Sequence, residues 1–215
     1  MSEQKTVIFD FDGTLANSVD LIFNLYNEYA DEFGYQHVTW DEIPGLRRMS
    51  YAKAMKAKNV KARRLPKILL TLSKEMHSRM DDVLPYEGIV EVLGELHNLG
   101  YSVGVLTSNQ ALLVNAFFKK HNFPAFDFVV SEKTIFGKDK ALKRIIKRFG
   151  LDKTQLLYVG DEPRDVVASH KAGIRVIGVS WGIAGIEGFE KVKPDVLAHT
   201  PAELLSAIKQ INPQE

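Results

Sequence analysis

Two aspartates separated by one residue follow the first apolar run of the chain. Residues 7–9 (Val-Ile-Phe) lead into Asp10, and Asp12 comes two positions later, followed by Gly13. Residues two apart on an extended segment point the same way, so both carboxylates can act on one substrate. An aspartate at the end of a strand is more often a turn or helix-capping residue than a catalytic group. The pair therefore predicts chemistry only if further reactive groups converge on it.

Three later apolar runs also end in side chains that can do chemistry. In an open parallel sheet, ligands bind beyond the carboxyl ends of the strands, so such groups are expected at one rim. These groups are Thr107, Ser108 and Asn109 after residues 103–106, Lys138 after residues 128–130, and Asp161, Glu162 and Asp165 after residues 156–159. Lys140 competes with Lys138 for the same position.

The combination of groups indicates phosphoryl transfer. Three carboxylates at one point repel each other unless a cation joins them, and oxygen ligands without His or Cys favour Mg²⁺ over zinc. The hydroxyl of Thr107 or Ser108 and the charge of Lys138 suit phosphate oxygens, and such positioning supplies most of the catalysis in phosphoryl transfer. Each group also has a plain structural alternative: Lys138 as a solvated lysine at a helix start, and residues 107–109 as a helix cap.

Short apolar runs alternate with longer amphipathic ones, which predicts strand–helix units and a parallel sheet. The predicted strands are residues 6–10, 102–106, 126–130, 156–160, 176–179 and 195–198. The predicted helices between them are residues 89–99, 110–121, 140–149 and 166–172. A final helix is predicted from Thr200 as its cap, with Pro201 in the first turn and Glu203 three residues after the cap.

Residues 16–82 break this rhythm. Amphipathic patterns predict helices at residues 17–33, 51–58 and 67–80, with no convincing strand among them. We therefore expect an α/β protein with two domains: a Rossmann-like parallel sheet core formed by residues 1–15 and 83–215, and an all-helical cap domain of residues 16–82 inserted after the first strand.

The composition is that of an ordinary globular protein. The chain has 215 residues, 45% hydrophobic and 26% charged, and no cysteine, which excludes disulfides and thiolate metal sites. No apolar run approaches the roughly 20 residues of a membrane span. Asp10 and Asp12 interrupt the early apolar stretch, which argues against a secretory signal. We expect a cytoplasmic protein without membrane contact.

The net charge of +1 hides a basic stretch. Ten basic residues and no acidic one lie between Ile43 and Lys74, beginning with Arg47 and Arg48. This stretch is either a solvated helical surface or a surface facing an anionic substrate, and a nucleic-acid partner is not expected. Arg47 and Arg48 follow Pro44-Gly45 and are candidates for substrate specificity, because arginine suits a carboxylate or a second phosphate.

The motif Asp10-Phe11-Asp12-Gly13-Thr14 resembles the first motif of the haloacid dehalogenase (HAD) superfamily of hydrolases. Thr107 matches that family's second motif, Lys138 its third, and Gly160-Asp161 through Asp165 its fourth. The resemblance covers nearly the whole chain. The helical insertion after the first motif is similar to the cap of the branch that contains phosphoglycolate phosphatases and phosphoglucomutases.

The resemblance implies a role for each residue. Asp10 would attack phosphorus and form an aspartyl-phosphate, and Asp12 would act as general acid and then as base. Asp10, Asp12 (through its backbone carbonyl) and Asp161 would hold Mg²⁺. The transferring phosphoryl group would be bound by Thr107, Ser108, Asn109 and Lys138, while Glu162 and Asp165 would orient the metal site or Lys138.

Residue identities also separate the chain from some relatives. The dehalogenases of the superfamily lack the second aspartate, so Asp12 argues against carbon–halogen cleavage. Transport ATPases carry Lys after the nucleophile, where this chain has Phe11. Two positions depart from the common pattern: Asn17 stands where many members have Asp, and Glu162-Pro163-Arg164 replaces a commoner Ser-containing segment.

The function expected from these features is Mg²⁺-dependent hydrolysis of a small phosphate monoester, phosphoglycolate-like or a sugar or nucleotide phosphate. The alternatives are a phosphomutase of the same branch, or a non-catalytic binding or regulatory protein that uses the basic stretch. The expected partner is a small phosphorylated substrate, and the expected assembly is a monomer or a homodimer.

Overall fold

The structure is a computed structural model that describes residues 4–132 and 137–211. Outside the described residues lie 1–3, 133–136 and 212–215, all of which belong to the predicted core segments. The described chain divides into two compact units: residues up to 17 together with residues from 84 onward, and residues 18–83.

A parallel sheet of six strands forms the first unit, with strand order β3-β2-β1-β4-β5-β6. The central strand β1 pairs with β2 on one side and with β4 on the other, so Val7 lies level with Val103 and Leu157. The strands are β1 (Thr6–Phe9), β2 (Ser102–Thr107), β3 (Phe128–Ser131), β4 (Leu156–Gly160), β5 (Arg175–Val179) and β6 (Val196–Ala198). The α/β fold class predicted from the sequence is confirmed.

Helices flank this sheet, and they bury its apolar strands. One core cluster joins Ile8 and Tyr158 of the central strands to Leu142 and Val166 on two of the helices. Strands covered on both faces have near-continuous apolar sequences. The strands β1, β2 and β4 are of this kind, because they are buried along their whole length. The helices of this unit are α6 (Ile89–Asn98), α7 (Ala111–Lys120), α8 (Lys138–Phe149), α9 (Pro163–Ala172), α10 (Gly185–Gly188) and α11 (Pro201–Ile211).

The start of helix α9 differs from the predicted one for a local reason, whereas that of α11 matches its predicted cap. Helix α9 begins at Pro163 rather than Val166, because a capping box between Glu162 and Asp165 fixes its first turn and proline fits the first helical position. At α11, the backbone N–H of Glu203 donates to Oγ1 of Thr200 at 3.2 Å, as expected for the predicted cap.

The second unit, residues 18–83, is helical in the described chain, and strands are absent from it. A small core of Ala30, Phe33, Tyr35 and Ile68 holds its helices together. The helices are α1 (Val19–Glu28), α2 (Ala30–Phe33), α3 (Ile43–Arg47), α4 (Tyr51–Ala57) and α5 (Leu65–Ser78), with single 3₁₀ turns at Trp40–Glu42, Ala62–Arg64 and Met80–Asp82.

Along the described part of the chain, no helix combines the length and the apolar character needed to cross a bilayer.

Candidate active site

Asp10 follows the central strand of the sheet and is fixed there by backbone and side-chain hydrogen bonds. Its N–H donates to the carbonyl of Val159 on β4 at 2.8 Å, which extends the strand ladder by one residue. Its carboxylate Oδ1 accepts from the N–H of Phe11 at 2.8 Å. Asp10 is only 7% exposed, so its carboxylate is presented from a rigid and largely buried position.

A tight loop turns the chain directly after Asp10. The carbonyl of Phe11 accepts from the N–H groups of Leu15 and Ala16, both at 2.9 Å, and Gly13 donates to Ala16 at 2.9 Å. Gly13 has a φ of +73°, a conformation that residues with a Cβ rarely adopt. Glycine therefore stands at the position of this tight turn that needs it.

Lys138 connects two carboxylates at this rim. Its Nζ donates to Oδ2 of Asp10 at 2.7 Å and pairs with Asp165, and it lies 5.4 Å from the ring centroid of Tyr158. Burial works against the ammonium charge, but the two carboxylates outweigh it and raise the pKa of Lys138 well above its ordinary value. Lys140 is exposed, so the geometry favours Lys138 for the position that the sequence left open between them.

Glu162 and Asp165 lie at the start of helix α9, where they cap its first turn. The Asp165 carboxylate accepts from the N–H of Glu162 at 3.0 Å, and Glu162 also pairs with Arg164. Carboxylate oxygens of Asp10, Glu162 and Asp165 all lie within 4.8 Å of one another. Burial, opposed by Lys138, raises the pKa of Asp165 to about 6. Oxygen donors gathered this closely fit a hard cation such as Mg²⁺.

Asp161 is fully buried beside the loop that follows Asp10. Its Oδ1 accepts from the hydroxyl of Thr14 at 3.3 Å, and its Oδ2 accepts from the N–H of Ile183 at 2.7 Å. Burial raises the pKa of Asp161 well above its usual range, and the negative charges of Glu162 and Asp10 raise it further. A cation would relieve that repulsion.

The cluster of three carboxylates differs from the predicted ligand set of Asp10, Asp12 and Asp161. Glu162 and Asp165 were expected to orient the metal site or Lys138; Asp165 pairs with Lys138, and both residues contribute a carboxylate oxygen to the cluster. The ligand roles of Asp12 and Asp161 stay predictions.

The segment after β2 is held by its own hydrogen bonds. Oγ1 of Thr107 accepts from the N–H of Asn109 at 3.0 Å, while Nδ2 of Asn109 donates to Oδ2 of Asp12 at 2.6 Å. Ser131 in turn donates to the carbonyl of Asn109 at 2.6 Å. Asn109 therefore orients the carboxylate of Asp12, and Ser108 is exposed beside it.

A small cavity of about 30 Å³ lies at this rim. That volume accommodates about two water molecules, at roughly 10–15 Å³ for each. It is lined by Asp10, Asp12, Leu106, Thr107, Ser108, Glu132, Lys138, Ala141 and Arg164. The structure thus brings five of the predicted site residues to one cavity.

Known proteins resemble this chain in sequence and in fold. A sequence profile described as haloacid dehalogenase-like hydrolase matches residues 7–179. The chain belongs to this family. It is similar to a phosphoglycolate phosphatase from Synechococcus elongatus, with 28% identity over 96% of this chain and 98% of the relative.

Two further relatives support the same conclusion. The hydrolase is 28% identical to the pyrophosphatase PpaX of Bacillus velezensis, over 93% of this chain and 94% of that protein. A solved haloacid dehalogenase-like family protein from Streptococcus pneumoniae has the same fold, with a TM-score of 0.77, 20% identity, and coverage of 96% and 99% of the two chains. The names of the two relatives that were compared by sequence are those of a phosphatase and a pyrophosphatase.

Arg47 and Arg48 belong to the helical unit of the hydrolase. Arg47 ends α3 and is half-buried, while Arg48 is exposed and donates to the carbonyl of Pro44 at 3.3 Å. A part in substrate specificity stays a prediction for both.

Sequence reasoning missed several residues that support the site. Nε1 of Trp181 donates to the carbonyl of Thr14 at 3.2 Å, and Gly182 follows it against the carboxylate of Asp161. A Cβ on Gly182 would lie 2.3 Å from Oδ2 of Asp161. The signal was available, because Trp181 and Gly182 come just after β5 and therefore lie at the same rim of the sheet.

Proposed function

We propose that the hydrolase is a Mg²⁺-dependent phosphatase that cleaves a small phosphate monoester through an aspartyl-phosphate on Asp10. The observation that carries the proposal is the setting of Asp10: its carboxylate receives the N–H of Phe11 and the ammonium group of Lys138, and it lines the cavity with Asp12 and Thr107. Both hydrogen bonds orient the carboxylate that would act as the nucleophile.

In the first step, one oxygen of the Asp10 carboxylate attacks phosphorus, and the bond from phosphorus to the leaving alcohol breaks. Asp12 gives its proton to the departing oxygen. The hydrogen bond from Asn109 to Asp12 holds that carboxyl group toward the cavity. Lys138 and the backbone after β2 bind the oxygens of the transferring group, whose charge grows in the transition state.

In the second step, Asp12 takes a proton from a water molecule that attacks the phosphorus of the aspartyl-phosphate. The bond between Asp10 and phosphorus breaks, and inorganic phosphate and the free carboxylate are released. Splitting the displacement into two steps lets the same acid–base residue serve both.

Mg²⁺ would be held by Asp10, Asp161 and the backbone carbonyl of Asp12, with Glu162 and Asp165 close enough to take part. When bound, it supplies positive charge next to the phosphoryl oxygens. The buried carboxylates support this proposal, because burial, and in addition the negative charge of neighbouring carboxylates, raises the pKa of Asp161 and Asp165.

The proposed substrate is a small phosphorylated molecule. Relatives named phosphoglycolate phosphatase and pyrophosphatase support a substrate of that kind. The helical unit, residues 18–83, is proposed as a cap domain that selects the substrate, as in enzymes whose closing segments exclude water.

The test is a panel of phosphate monoesters assayed with and without Mg²⁺ for the wild type and for Asp10→Asn. We expect turnover only with Mg²⁺, and a loss of about a thousandfold or more in kcat for Asp10→Asn. Inorganic phosphate as the product separates a phosphatase from a phosphomutase, which would return the group to a sugar phosphate. Turnover by Asp10→Asn at the wild-type rate would refute the mechanism.

A further inference from the structure

Arg164 is the second cationic side chain on the wall of the active-site cavity. It lies one residue before Asp165 in the first turn of α9, and it lines the same cavity as Thr107, Ser108 and Lys138. Its side chain is 34% exposed, whereas that of Lys138 is 14% exposed. Arg164 is therefore the more accessible of the two cations.

The two cations differ in what holds them. Lys138 is placed between Asp10 and Asp165, and the proposed phosphatase mechanism employs it on the transferring phosphoryl group. Arg164 pairs with Glu162, whose side chain is 5% exposed, at the edge of the acidic cluster. A guanidinium group is a planar fork with five N–H donors, so it can hold one carboxylate and receive another anion from a different direction.

The charges on the cavity wall explain why a second cation matters. Asp12 and Glu132 line the cavity in addition to Asp10. A second anionic group on a substrate would meet these carboxylates, and like charges disfavour binding unless a cation compensates. Arg164 supplies that compensation on the core unit itself.

We propose that Arg164 is a specificity-determining residue that binds a second anionic group of the substrate, a carboxylate or a second phosphoryl group near the scissile phosphorus. The inference rests on the proposed phosphatase function. Arg164 and Lys138 line the same cavity, so the two anionic groups that they bind would be few bonds apart. The substrate class is thus a short phosphate ester or anhydride with two anionic ends.

The test compares three substrates that differ in the second group. 2-Phosphoglycolate carries a carboxylate, pyrophosphate carries a second phosphoryl group, and 2-hydroxyethyl phosphate carries a neutral hydroxyl. We expect the wild type to prefer at least one of the two doubly anionic substrates. Arg164→Gln should lower the ratio of kcat/KM for that substrate over 2-hydroxyethyl phosphate by about ten- to a hundredfold, the worth of a charge-assisted hydrogen bond.

Two further variants sharpen the result. Arg164→Lys keeps the charge but loses the fork, so the ratio should fall by less than in Arg164→Gln. Arg148→Gln removes an exposed arginine of α8 that lies against the ring of Phe149, and it should keep the wild-type ratio. The substrate whose ratio falls identifies the second group as carboxylate or phosphoryl.

Binding provides a readout without turnover. In the Asp10→Asn background with Mg²⁺, calorimetry should show that Arg164→Gln weakens the binding of the preferred doubly anionic substrate more than that of 2-hydroxyethyl phosphate. Equal weakening of both would mean that Arg164 acts only by holding Glu162, and it would overturn the inference. An unchanged ratio in Arg164→Gln would overturn it as well.

The two proposals fail in different ways. If the wild type hydrolyses no phosphate monoester of the panel with Mg²⁺, the proposed function fails and the inference falls with it. If it hydrolyses other monoesters but neither doubly anionic substrate, only the inference about Arg164 fails. If the wild type hydrolyses 2-hydroxyethyl phosphate with Mg²⁺ but shows no preference for a second anionic group, only the inference about Arg164 fails.

Discussion

The two units of this hydrolase bury charged side chains in different ways. In the core unit, Lys138 lies between the carboxylates of Asp10 and Asp165, and all three face a cavity or the acidic cluster beside it. In the helical unit, Lys58 is also buried, but its Nζ donates to the carbonyl of His37 at 2.9 Å and to Glu42 at 2.5 Å.

The contrast separates a structural buried charge from a functional one. Burying a charge is costly unless it is paired, so every such group needs a reason. Lys58 joins two segments of the helical unit, as does Arg64 by donating to the carbonyl of Phe33. Lys138 instead lies between two carboxylates that would otherwise repel each other. Its position therefore argues for a functional role.

The largest expected effect is the difference in kcat between two variants, each of which lacks one of these lysines. Lys138→Met should lower kcat by about a hundred- to a thousandfold, the usual effect of losing one group that stabilises developing charge. Lys58→Met should lower the melting temperature while kcat of the folded enzyme stays at the wild-type value. Steady-state kinetics and thermal unfolding measure both, and a Lys58→Met enzyme as inactive as Lys138→Met would break the comparison.

A second comparison is between two glycines, one beside the acidic cluster and one away from it. A Cβ on Gly182 would lie 2.3 Å from both the carboxylate of Asp161 and the carbonyl of Gly13, whereas a Cβ on Gly94 in α6 meets no atom within 4 Å. Gly182→Ala should displace Asp161 and weaken Mg²⁺ binding by about ten- to a hundredfold, as changes around metal ligands do.

Gly94→Ala is the matched control. It should keep the wild-type Mg²⁺ affinity and stabilise the protein by about 0.5–1 kcal/mol, because alanine loses less backbone entropy than glycine in a helix. Calorimetric titration with Mg²⁺ measures the affinity of each variant. Wild-type affinity in Gly182→Ala would show that Asp161 does not depend on this close approach.

The pH dependence of stabilisation by Mg²⁺ gives a smaller effect. The pKa of Asp165 rises from 3.8 to about 6 in the folded protein, mainly through burial. A carboxyl with a raised folded pKa takes up a proton on folding, so its contribution to the stability of the metal-free protein grows as the pH falls from about 6 to about 4. Mg²⁺ competes with that proton.

The rise in melting temperature on adding Mg²⁺ should therefore be several degrees smaller at about pH 5 than at about pH 7.5. Thermal unfolding with and without Mg²⁺ at the two pH values measures it, and Asp165→Asn should flatten the difference. An equal rise at both pH values would show that protons and Mg²⁺ do not compete at this cluster.

The smallest effect is expected from the arginines of the helical unit. Arg48 is exposed and Arg47 half-buried, and charges in contact with solvent are screened by salt. Replacing both by alanine should lower kcat/KM by only about two- to threefold, and the loss should shrink at high salt. A loss as large as that of Lys138→Met would show that the helical unit, rather than the core unit, recognises the substrate.

Much of the core could be predicted from the sequence because its signals are local. The runs of β1, β2 and β4 are apolar and bounded by polar residues, so their positions were correct to within one residue. The convergence of Asp10, Thr107 and Lys138 followed from the rule that the carboxyl ends of parallel strands share one rim.

Other features depend on contacts that no local pattern reveals. The predicted helix of residues 17–33 is interrupted at Tyr29, between α1 and α2, although no glycine or proline marks the break. The hydrogen bond from Trp181 to Thr14 joins residues 167 positions apart.

The central claim is that Asp10 carries the phosphoryl group during turnover. Its most direct test is acid quenching of a single turnover of a radiolabelled phosphate monoester with Mg²⁺, followed by measurement of label bound to the protein. We predict label on the wild type within the time of one turnover and none on Asp10→Asn. Equal labelling of both proteins, or turnover by the wild type with no bound label at any time, would contradict the account.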